Sequence, residues 1–558
     1  MSCVQRACFA ALAALVGLAC ERKPPPGGEP KAAPSARDVK KSGLAGDPTL
    51  PDELAPKVAE SAAPEVDAAP VKHPGPWFVV TSAAAGIYRK PSFDKNDKIG
   101  YVRNGGKVGV HKKPVSKENC SSGWLELATG GFLCGNLGTT DLEHPQVKFA
   151  LKRPDLDEVL PYTYARNAKN GTPLYKSVPS REQMYQYEPY LPGAKKAREA
   201  EKKAQAAEDS GGSPVKRAST SSDAGIVEAA LQDSGVALVG DAAAEEPSKP
   251  WWQRENAKDS LHEVTLEALA AEGDDILAKR MVTGFYVAVD KTFRWNDRTW
   301  YKTTRGLVAP ADRFWQTAGS KFEGVSLEGG KWKLPIAWVY GGRKKAPSYE
   351  IESEDAKPKS AKSIEAFTAI QLTGREREVG KTRYLETSAG TWVKNLHVRV
   401  TRPGPAPKDL VPTEKWIDVN LNEQTLVVYR GTTPVYATLT SSGKKSSIKA
   451  KDHRTPTGQW RIREKHITTT MDGNGTAAGD QPYSIEDVPY VMYYYNSYAL
   501  HAAFWHRNYG IQMSHGCLNL SPLDAKHVFY LTDPPVPDGF HGSWSSKDSP
   551  GSRVVVHE

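Results

Sequence analysis

A thiol and an imidazole stand two residues apart late in this 558-residue chain. Residues 514–519 read Ser-His-Gly-Cys-Leu-Asn, and a second histidine, His501, precedes them. A cysteine attacks carbonyl carbons as the thiolate, and a nearby imidazole is the usual group that removes the thiol proton near neutral pH. The glycine between them permits a tight turn and leaves space beside the sulfur. The pair alone is a weak signal, because such pairs also arise by chance or bind metal, but it makes Cys517 a candidate nucleophile with His515 as its base.

Strand patterns precede this pair and place it in a β domain. Residues 416–421 alternate apolar and polar side chains, and a short polar turn leads into a β-prone run, which predicts a hairpin. A Thr-Pro-Thr-Gly stretch at 455–458 predicts a turn that opens another strand. Residues 490–495 and 498–501 predict two further strands, so the first histidine stands at a strand end.

A helix is predicted directly after the cysteine. Ser521 suits the N-cap, Pro522 fits the first helical position, and Asp524 places an acid in the first turn. The apolar pattern continues to Leu531, and the Asp-Pro-Pro sequence at 533–535 ends the helix.

Three landmarks in register, residues 455–458, His501 and residues 514–519, resemble the signature of the L,D-transpeptidases, the YkuD family. The resemblance covers residues 413–558, about a quarter of the chain. It implies a mainly β fold whose last domain is a YkuD-type β-sandwich catalytic domain with a helix after the nucleophile. It implies neither a cofactor nor a metal.

The resemblance also implies roles around the thiol. Cys517 would hold the acyl group as a thioester, and His515 would generate the thiolate and later protonate the leaving amine. Backbone N–H groups around Gly516 and Cys517 would form the oxyanion hole. His501 would position substrate or stabilise charge, and Ser514 would orient the base rather than perform chemistry.

Candidate substrate-binding residues are Asn519, Tyr494 and Arg507. Trp505, His506 and Arg507 could line the cleft, but a surface loop is their expected place. The substrate implied by the resemblance is the peptidoglycan stem peptide, cut after diaminopimelate and joined to another side-chain amine as a 3–3 cross-link. Water as acceptor would give a carboxypeptidase, and a protein acceptor would give wall anchoring. The sequence does not choose among acceptors.

Residues 465–487 are expected to form a loop that covers the cleft, as in members of the family. An Asp-Gly-Asn-Gly run at 472–475 resembles part of a calcium loop, but the remaining spacing of a twelve-residue loop is absent. No metal site is therefore predicted.

The first 20 residues predict export. A single Arg6 precedes an apolar stretch that is too short for a membrane span and fits a secretory signal. Small residues before Cys20 resemble a bacterial lipobox, although Gly17 stands where leucine is usual. A periplasmic lipoprotein on the inner or outer membrane is expected, with an ordinary cleaved signal as the alternative.

Cysteine usage agrees with an oxidising compartment. Cys3 and Cys8 fall in the signal, while Cys120 and Cys134 bracket one small region and are expected to form a disulfide. The alternative is two reduced, buried thiols. Cys517 is left unpaired, as a catalytic thiol must be.

The remaining chain divides by composition. A signal at 1–20 precedes a disordered, Pro- and Ala-rich tether at 21–75, and a second low-complexity linker is expected at 191–250. Short β-prone runs predict an SH3-like β-barrel module at 76–140, an extension follows at 141–190, and residues 251–412 predict a β-rich middle domain. Within the linker, an Ala-, Lys- and Glu-rich stretch at 195–208 predicts an exposed helix.

Residues 384–393 echo residues 124–133, which suggests that the middle domain contains a second SH3-like module. The net charge is +9, but the charges are spread without a dense block and no nucleic-acid motif occurs, so no nucleic-acid partner is expected. The chain is expected to be a monomer.

Two other classes of protein remain as alternatives. A non-catalytic wall-binding protein could keep the fold while its modules bind the wall. A cysteine endopeptidase of the NlpC/P60 type also cuts wall peptides, but there the cysteine precedes its histidine by many residues. Here only His527, His541 and His557 follow Cys517, and none has a recognisable partner motif.

Overall fold

A computed structural model describes residues 75–210, 250–253, 261, 264–353, 356–474 and 482–558. The predicted signal and tether, with Cys3, Cys8 and Cys20, and residues 211–249 of the predicted linker lie outside the described residues. The described ranges belong to one compact unit, residues 71–558. As predicted, the fold is mainly β. No helix among the described residues is long and apolar enough to cross a membrane.

The first module, residues 75–140, contains seven short strands. They are β1 Trp77–Val80, β2 Ala84–Tyr88, β3 Lys98–Arg103, β4 Lys107–Gly109, β5 Trp124–Glu126, β6 Phe132–Cys134 and β7 Gly138–Thr139. Helix α1, Pro145–Lys148, follows. Cys120 and Cys134 are joined by a disulfide, which packs beside buried Trp124.

The second module joins strands from both sides of the low-complexity linker. Its strands are β8 Thr163–Asn167, β9 Thr172–Tyr175, β10 Leu277–Met281, β11 Tyr286–Trp295, β12 Arg298–Thr303, β13 Val308–Pro310 and β14 Phe314–Thr317. Its helices are α2 Arg181–Tyr187, α3 Ala194–Ser210 and α4 Leu266–Ala271. Because β8 pairs with β11 and β9 with β10, the extension and the start of the middle domain share one sheet. Helix α3 confirms the helix predicted at 195–208.

The third module, residues 336–401, forms a seven-stranded sheet. Its strands are β16 Ile336–Trp338, β17 Lys345–Glu350, β18 Lys359–Glu365, β19 Ala369–Val379, β20 Thr382–Thr387, β21 Trp392–Lys394 and β22 Arg399–Thr401. Strand β15, Val325–Ser326, lies before it and joins the sheet of the C-terminal domain instead.

Residues 124–133 and 384–393, whose sequences resemble each other, each form a hairpin, and the second module contains a third hairpin of the same kind. In every copy a backbone N–H at the start of the turn donates to a carbonyl four residues later, and a 3₁₀ turn follows the second strand. The bonded pairs are Leu127 with Gly131 (2.9 Å), Thr303 with Leu307 (2.8 Å) and Thr387 with Thr391 (2.8 Å). The sequence revealed two of these three hairpins.

The C-terminal domain, residues 415–558, is a two-sheet sandwich with one helix among its described residues, as predicted. Its strands are β23 Lys415–Asn420, β24 Thr425–Arg430, β25 Thr433–Leu439, β26 Gly458–Arg461, β27 Glu464–Gly473, β28 Tyr483–Tyr495, β29 Tyr498–Ala502, β30 Leu518–Leu520, β31 Gly542–Trp544 and β32 Arg553–His557. One sheet has the order β15-β25-β24-β23-β32-β26, and β27 to β30 pair in sequence in the other. Buried side chains of both sheets, including Val419, Val428, Leu500 and Leu518, form one core.

Helix α5, Pro522–Leu531, confirms the helix predicted after the cysteine, with Ser521 as its N-cap. Its first turn is fixed by buried Asp524, whose carboxylate accepts hydrogen bonds from the hydroxyls of Tyr436 (2.7 Å) and Thr438 (2.6 Å). At its other end, the buried ammonium of Lys465 donates to the carbonyl oxygens of Phe529 and Thr532, which the helix leaves without partners. Burial lowers the pKa of Lys465 to about 7.

The loop predicted at 465–487 is wrong for most of its length, because β27 and β28 form a long antiparallel hairpin there. Residues 475–481, at its tip, lie outside the described residues. On one side β27 pairs with β31, which pairs with β3 of the first module; on the other side β28 pairs with β11 of the second module. Both modules therefore hold this hairpin, called the lid hairpin below.

Asp487 of the lid hairpin forms hydrogen bonds with the first module, with the second module and with β27 of its own hairpin. Its buried carboxylate accepts hydrogen bonds from Arg103 of the first module (2.5 Å), Thr304 of the second (2.5 Å) and Thr468 of β27 (2.9 Å). Its backbone carbonyl accepts from the hydroxyl of Tyr164, also in the second module (2.6 Å). A single side chain thus fixes where the hairpin sits relative to both modules.

Candidate active site

The cysteine lies immediately before β30, in a turn that its neighbours hold closed. The Ser514 hydroxyl donates to the carbonyl oxygen of Cys517 (2.5 Å) and accepts from the N–H of Gly516 (3.0 Å). Ser514 therefore shapes the turn that presents the thiol. Since the Gly516 N–H is engaged in this way, it is not a free oxyanion donor in this conformation, contrary to the expectation from the sequence.

Gly516 is required by its conformation and its surroundings. Its φ of 122° lies where side chains are strongly disfavoured. A Cβ at this position would also stand 2.4 Å from the Tyr498 ring. No other residue fits between the imidazole and the thiol without moving the turn.

The Thr-Pro-Thr-Gly landmark contacts this turn directly. Thr455 donates from its hydroxyl to the carbonyl oxygen of Gly516 (2.7 Å) and accepts from the N–H of Gly443 (2.9 Å). The N–H of Lys444 donates to the carbonyl oxygen of Ser514 (2.9 Å). Two motifs recognised separately in the sequence are therefore parts of one support for the nucleophile.

The Cys517 thiol is partly buried against an aromatic wall. Its Sγ lies 3.8 Å from the carbonyl oxygen of Ser497, and it packs with a cluster that includes Tyr286, Tyr493 and Trp505. Burial raises the pKa of the thiol to about 11, against a smaller lowering by a backbone hydrogen bond with Ala499. The resting cysteine is therefore a neutral thiol at physiological pH.

His515 is exposed and lies between two aromatic rings. Its imidazole stacks on Tyr483 of the lid hairpin, with centroids 5.4 Å apart, and meets the edge of His453 at 4.7 Å. Neither neighbour was identified from the sequence. The only indication in the sequence that His453 belongs to the site was its position two residues before Thr455.

His501 is buried in β29 and takes a defined tautomer. Its Nδ1 lies 3.0 Å from the carbonyl oxygen of Ala502, so Nδ1 carries the proton and Nε2 carries the lone pair. Burial lowers the pKa of His501 to about 4, and its ring stacks on Trp505 at 5.6 Å. His501 is a neutral hydrogen-bond acceptor, opposite Asn519 in the register of β29 and β30.

The three predicted substrate-binding residues lie in different surroundings. Asn519 is 3% exposed on β30, and its side chain is 2.9 Å from Nε2 of His506. Tyr494 is 2% exposed inside the sandwich core, where its ring packs against Trp460. Arg507 is exposed on the loop after β29. His506 is half-buried rather than a surface-loop residue, and no pattern in the sequence indicated its contact with Asn519.

The Asp-Gly-Asn-Gly run does not gather metal ligands. Asp472 pairs with Arg305, and Asn474 hydrogen-bonds Glu267 and the N–H of Leu266 of α4. Within the described ranges, no group of three or more His, Cys, Asp or Glu side chains converges.

The second module forms part of the surroundings of the thiol. The Tyr286 ring meets Phe504 at 5.4 Å and Trp505 at 6.5 Å, and Trp505 in turn stacks on His501. The site is therefore built from the C-terminal domain, with a wall from the second module.

Residues 414–556 match the family model described as the L,D-transpeptidase catalytic domain, YkuD. No curated protein matches the chain. Among solved structures, a mutant L,D-transpeptidase of Enterococcus faecium is 22% identical, with a TM-score of 0.20, over 28% of this chain and 55% of that one. The catalytic domain of the E. faecium enzyme is 24% identical, with a TM-score of 0.20, over 26% of this chain and 98% of that one.

An L,D-transpeptidase from Mycobacterium smegmatis is 16% identical, with a TM-score of 0.20, over 40% of this chain and 82% of that one. The chain thus spans only about half of the first of these structures. The family match coincides with the domain that carries Cys517 and its supporting turn. Residues 414–556 of the chain are an L,D-transpeptidase catalytic domain of the YkuD family.

Proposed function

We propose that the chain is a peptidoglycan L,D-transpeptidase that uses Cys517 as its nucleophile. The observation that carries the proposal is the turn around the thiol, which Ser514 and Thr455 hold from two sides inside the domain matched to this family. The substrate is the stem peptide of peptidoglycan, attacked at the carbonyl of diaminopimelate, and the product is a 3–3 cross-link.

In the first half-reaction the Cys517 sulfur attacks the peptide carbonyl carbon while His515 takes the thiol proton. The C–N bond to the terminal D-alanine then breaks, and the protonated His515 returns that proton to the leaving amine. A thioester remains on Cys517. Because the resting thiol has a pKa of about 11, the proton leaves during the attack rather than before it.

In the second half-reaction an amine attacks the thioester, His515 removes its proton, and the thiol is released. The N–H of Cys517 is the backbone donor we assign to the oxyanion, because Ser514 occupies that of Gly516. His501 accepts a hydrogen bond from substrate through its unprotonated Nε2. If water replaces the amine, the same site is an L,D-carboxypeptidase, and an outer-membrane protein as acceptor makes it a wall-anchoring enzyme.

The proposal also covers the location of the protein and the role of its N-terminal modules. We infer a periplasmic lipoprotein anchored through Cys20, with the first module and part of residues 251–412 as SH3-like, wall-binding units. The repeated hairpin in the three modules supports a common origin for these units.

Acylation by a carbapenem β-lactam tests the nucleophile, because such drugs trap the thiol as a covalent adduct. Peptide mapping by mass spectrometry of the full-length protein should place the adduct on Cys517, and Cys517→Ala should carry none. Cys120→Ser with Cys134→Ser is the matched control and should acylate normally. An adduct elsewhere, or none, would reject this site.

A further inference from the structure

The partners of His506 determine which of its nitrogens carries the proton. Its Nδ1 accepts the backbone N–H of Asn508 at 3.1 Å, so Nδ1 carries a lone pair. Burial, together with a smaller effect of His501, lowers the pKa of His506 to about 4, so the ring is neutral. The proton of a neutral ring must then be on Nε2. Nε2–H is therefore a donor.

The atom that faces this donor must be an acceptor. Nε2 of His506 lies 2.9 Å from the atom assigned as Nδ2 of Asn519, but the oxygen and nitrogen of an amide are distinguished only by their partners. Because two donors cannot share a hydrogen bond, we exchange the two amide atoms, so that the oxygen points to His506 and the NH₂ group takes the position assigned to Oδ1. That position is buried and has no hydrogen-bond partner among the described residues.

Asn519 follows the nucleophile by two residues and lies on the face of β30 that is turned away from the sandwich core. Leu518 and Leu520 on either side of it belong to that core, whereas Cys517, directly before β30, packs with Trp505, whose ring stacks on His501 opposite Asn519. Two residues of an extended peptide span about 7 Å. A peptide that presents its carbonyl carbon to the thiol therefore places further oxygens within reach of Asn519.

We propose that His506 is a positioning residue that fixes the Asn519 amide, so that its NH₂ group donates hydrogen bonds to a carbonyl or carboxylate oxygen of the acyl-donor peptide. The inference rests on the proposed function and deepens it. Without His506 the amide can rotate and present its oxygen, which repels the oxygen of the substrate. His506 thus selects the donor orientation of Asn519.

Nitrogen NMR tests the tautomer without any need for activity. In the full chain labelled with ¹⁵N-histidine, and assigned with His506→Gln, His506 should show a protonated Nε2 and an unprotonated Nδ1 at neutral pH. A protonated Nδ1 or an imidazolium would overturn the proposal. The result is independent of whether the protein proves to be a transpeptidase.

Kinetics test the consequence with the tetrapeptide donor. His506→Phe should lower kcat/KM by about 10-fold, the value of one hydrogen bond, mainly through KM. His506→Gln, whose amide can still donate to Asn519, should recover most of the loss, and exposed His111→Gln is the control. Unchanged kinetics in His506→Phe would contradict the proposal.

A double-mutant cycle separates positioning from a structural effect. In the Asn519→Ala background there is no amide to orient, so His506→Phe should cause no further loss in kcat/KM. An equal loss of kcat/KM in both backgrounds would reject the positioning role of His506.

A donor peptide with a C-terminal amide in place of its carboxylate identifies which substrate oxygen Asn519 binds. The loss of kcat/KM in His506→Phe should shrink with this peptide if Asn519 binds the terminal carboxylate. It should persist if Asn519 binds a peptide carbonyl.

Discussion

Thr455 donates a 2.7 Å hydrogen bond to the carbonyl oxygen of Gly516, 61 residues later in the chain. This bond joins the two strongest landmarks of the sequence and supports the turn that carries the nucleophile. The same hydroxyl accepts the N–H of Gly443, so it has a partner on each side.

Replacement of Thr455 by valine should loosen this turn. Two buried backbone groups, the Gly516 carbonyl and the Gly443 N–H, would lose their partner, at a cost of about 2 kcal/mol of unfolding free energy. Carbapenem acylation of Cys517 should slow by at least about 10-fold, because the nucleophile is no longer held. Exposed Thr457→Val is the control, measured by denaturant unfolding and stopped-flow acylation. Normal acylation by Thr455→Val would show that the turn does not depend on this bond.

The Cys517 thiol should lose its proton only well above neutral pH. Because burial raises the pKa of Cys517 to about 11, the thiolate fraction stays small through neutral pH. Alkylation by iodoacetamide should therefore rise about 10-fold per pH unit from pH 7 to pH 10, without a plateau. A plateau near pH 7 would mean that a preformed thiolate–imidazolium pair exists instead.

Lys465 should make stability depend on pH. Its folded pKa of about 7 lies below the usual 10.5, so between these values the unfolded chain binds more protons than the folded one. Unfolding free energy should therefore rise from pH 7 to pH 9. Lys465→Met should remove this rise, whereas Lys415→Met, at a partly exposed lysine paired with Asp533, should keep it.

These unfolding measurements are best made in a Cys517→Ala background. The raised pKa of the thiol acts with the opposite sign, since its contribution is lost as the pH rises from about 9 towards 11. A slope between pH 7 and pH 9 that survives Lys465→Met would assign the effect to other groups.

Arg103→Met should show how far the first module controls the lid hairpin. The Asp487 carboxylate would stay buried without its cation, which typically costs about 3 kcal/mol. Because Tyr483 of the same hairpin stacks on His515, turnover should fall as well. Arg89→Met is a matched control, since its pair with Asp548 also joins the first module to the C-terminal domain but is exposed. Equal stability of both variants would remove Asp487 as a structural junction.

Local signals in the sequence predicted the elements that depend on local physics. The cap at Ser521 and the apolar period predicted α5, and alternation predicted the hairpin of β23 and β24. The parts of β27 and β28 within residues 465–487 were missed because residues near Asp472 read as a turn, and because one pairing partner of β28, Tyr286, comes from another module. The spacing of residues in the sequence does not indicate which strands of different modules pair.

The same limit applies to the site. Cys517, His515 and Ser514 were recognisable because they are adjacent in one motif. The contact of His506 with Asn519 depends on a loop that folds back 13 residues, and Tyr483 reaches His515 through the lid hairpin. Tyr494 alternates with its neighbours in a strand, and only the packing of the sheets decides that its ring enters the core.

The most direct test of the central claim is a muropeptide digest after the full-length protein acts on sacculi rich in tetrapeptides. The proposed function predicts new 3–3 cross-linked dimers with the wild-type protein and none with Cys517→Ala. Tripeptides without dimers would make the protein a carboxypeptidase. No change with either protein would contradict catalysis and favour a wall-binding role for the chain.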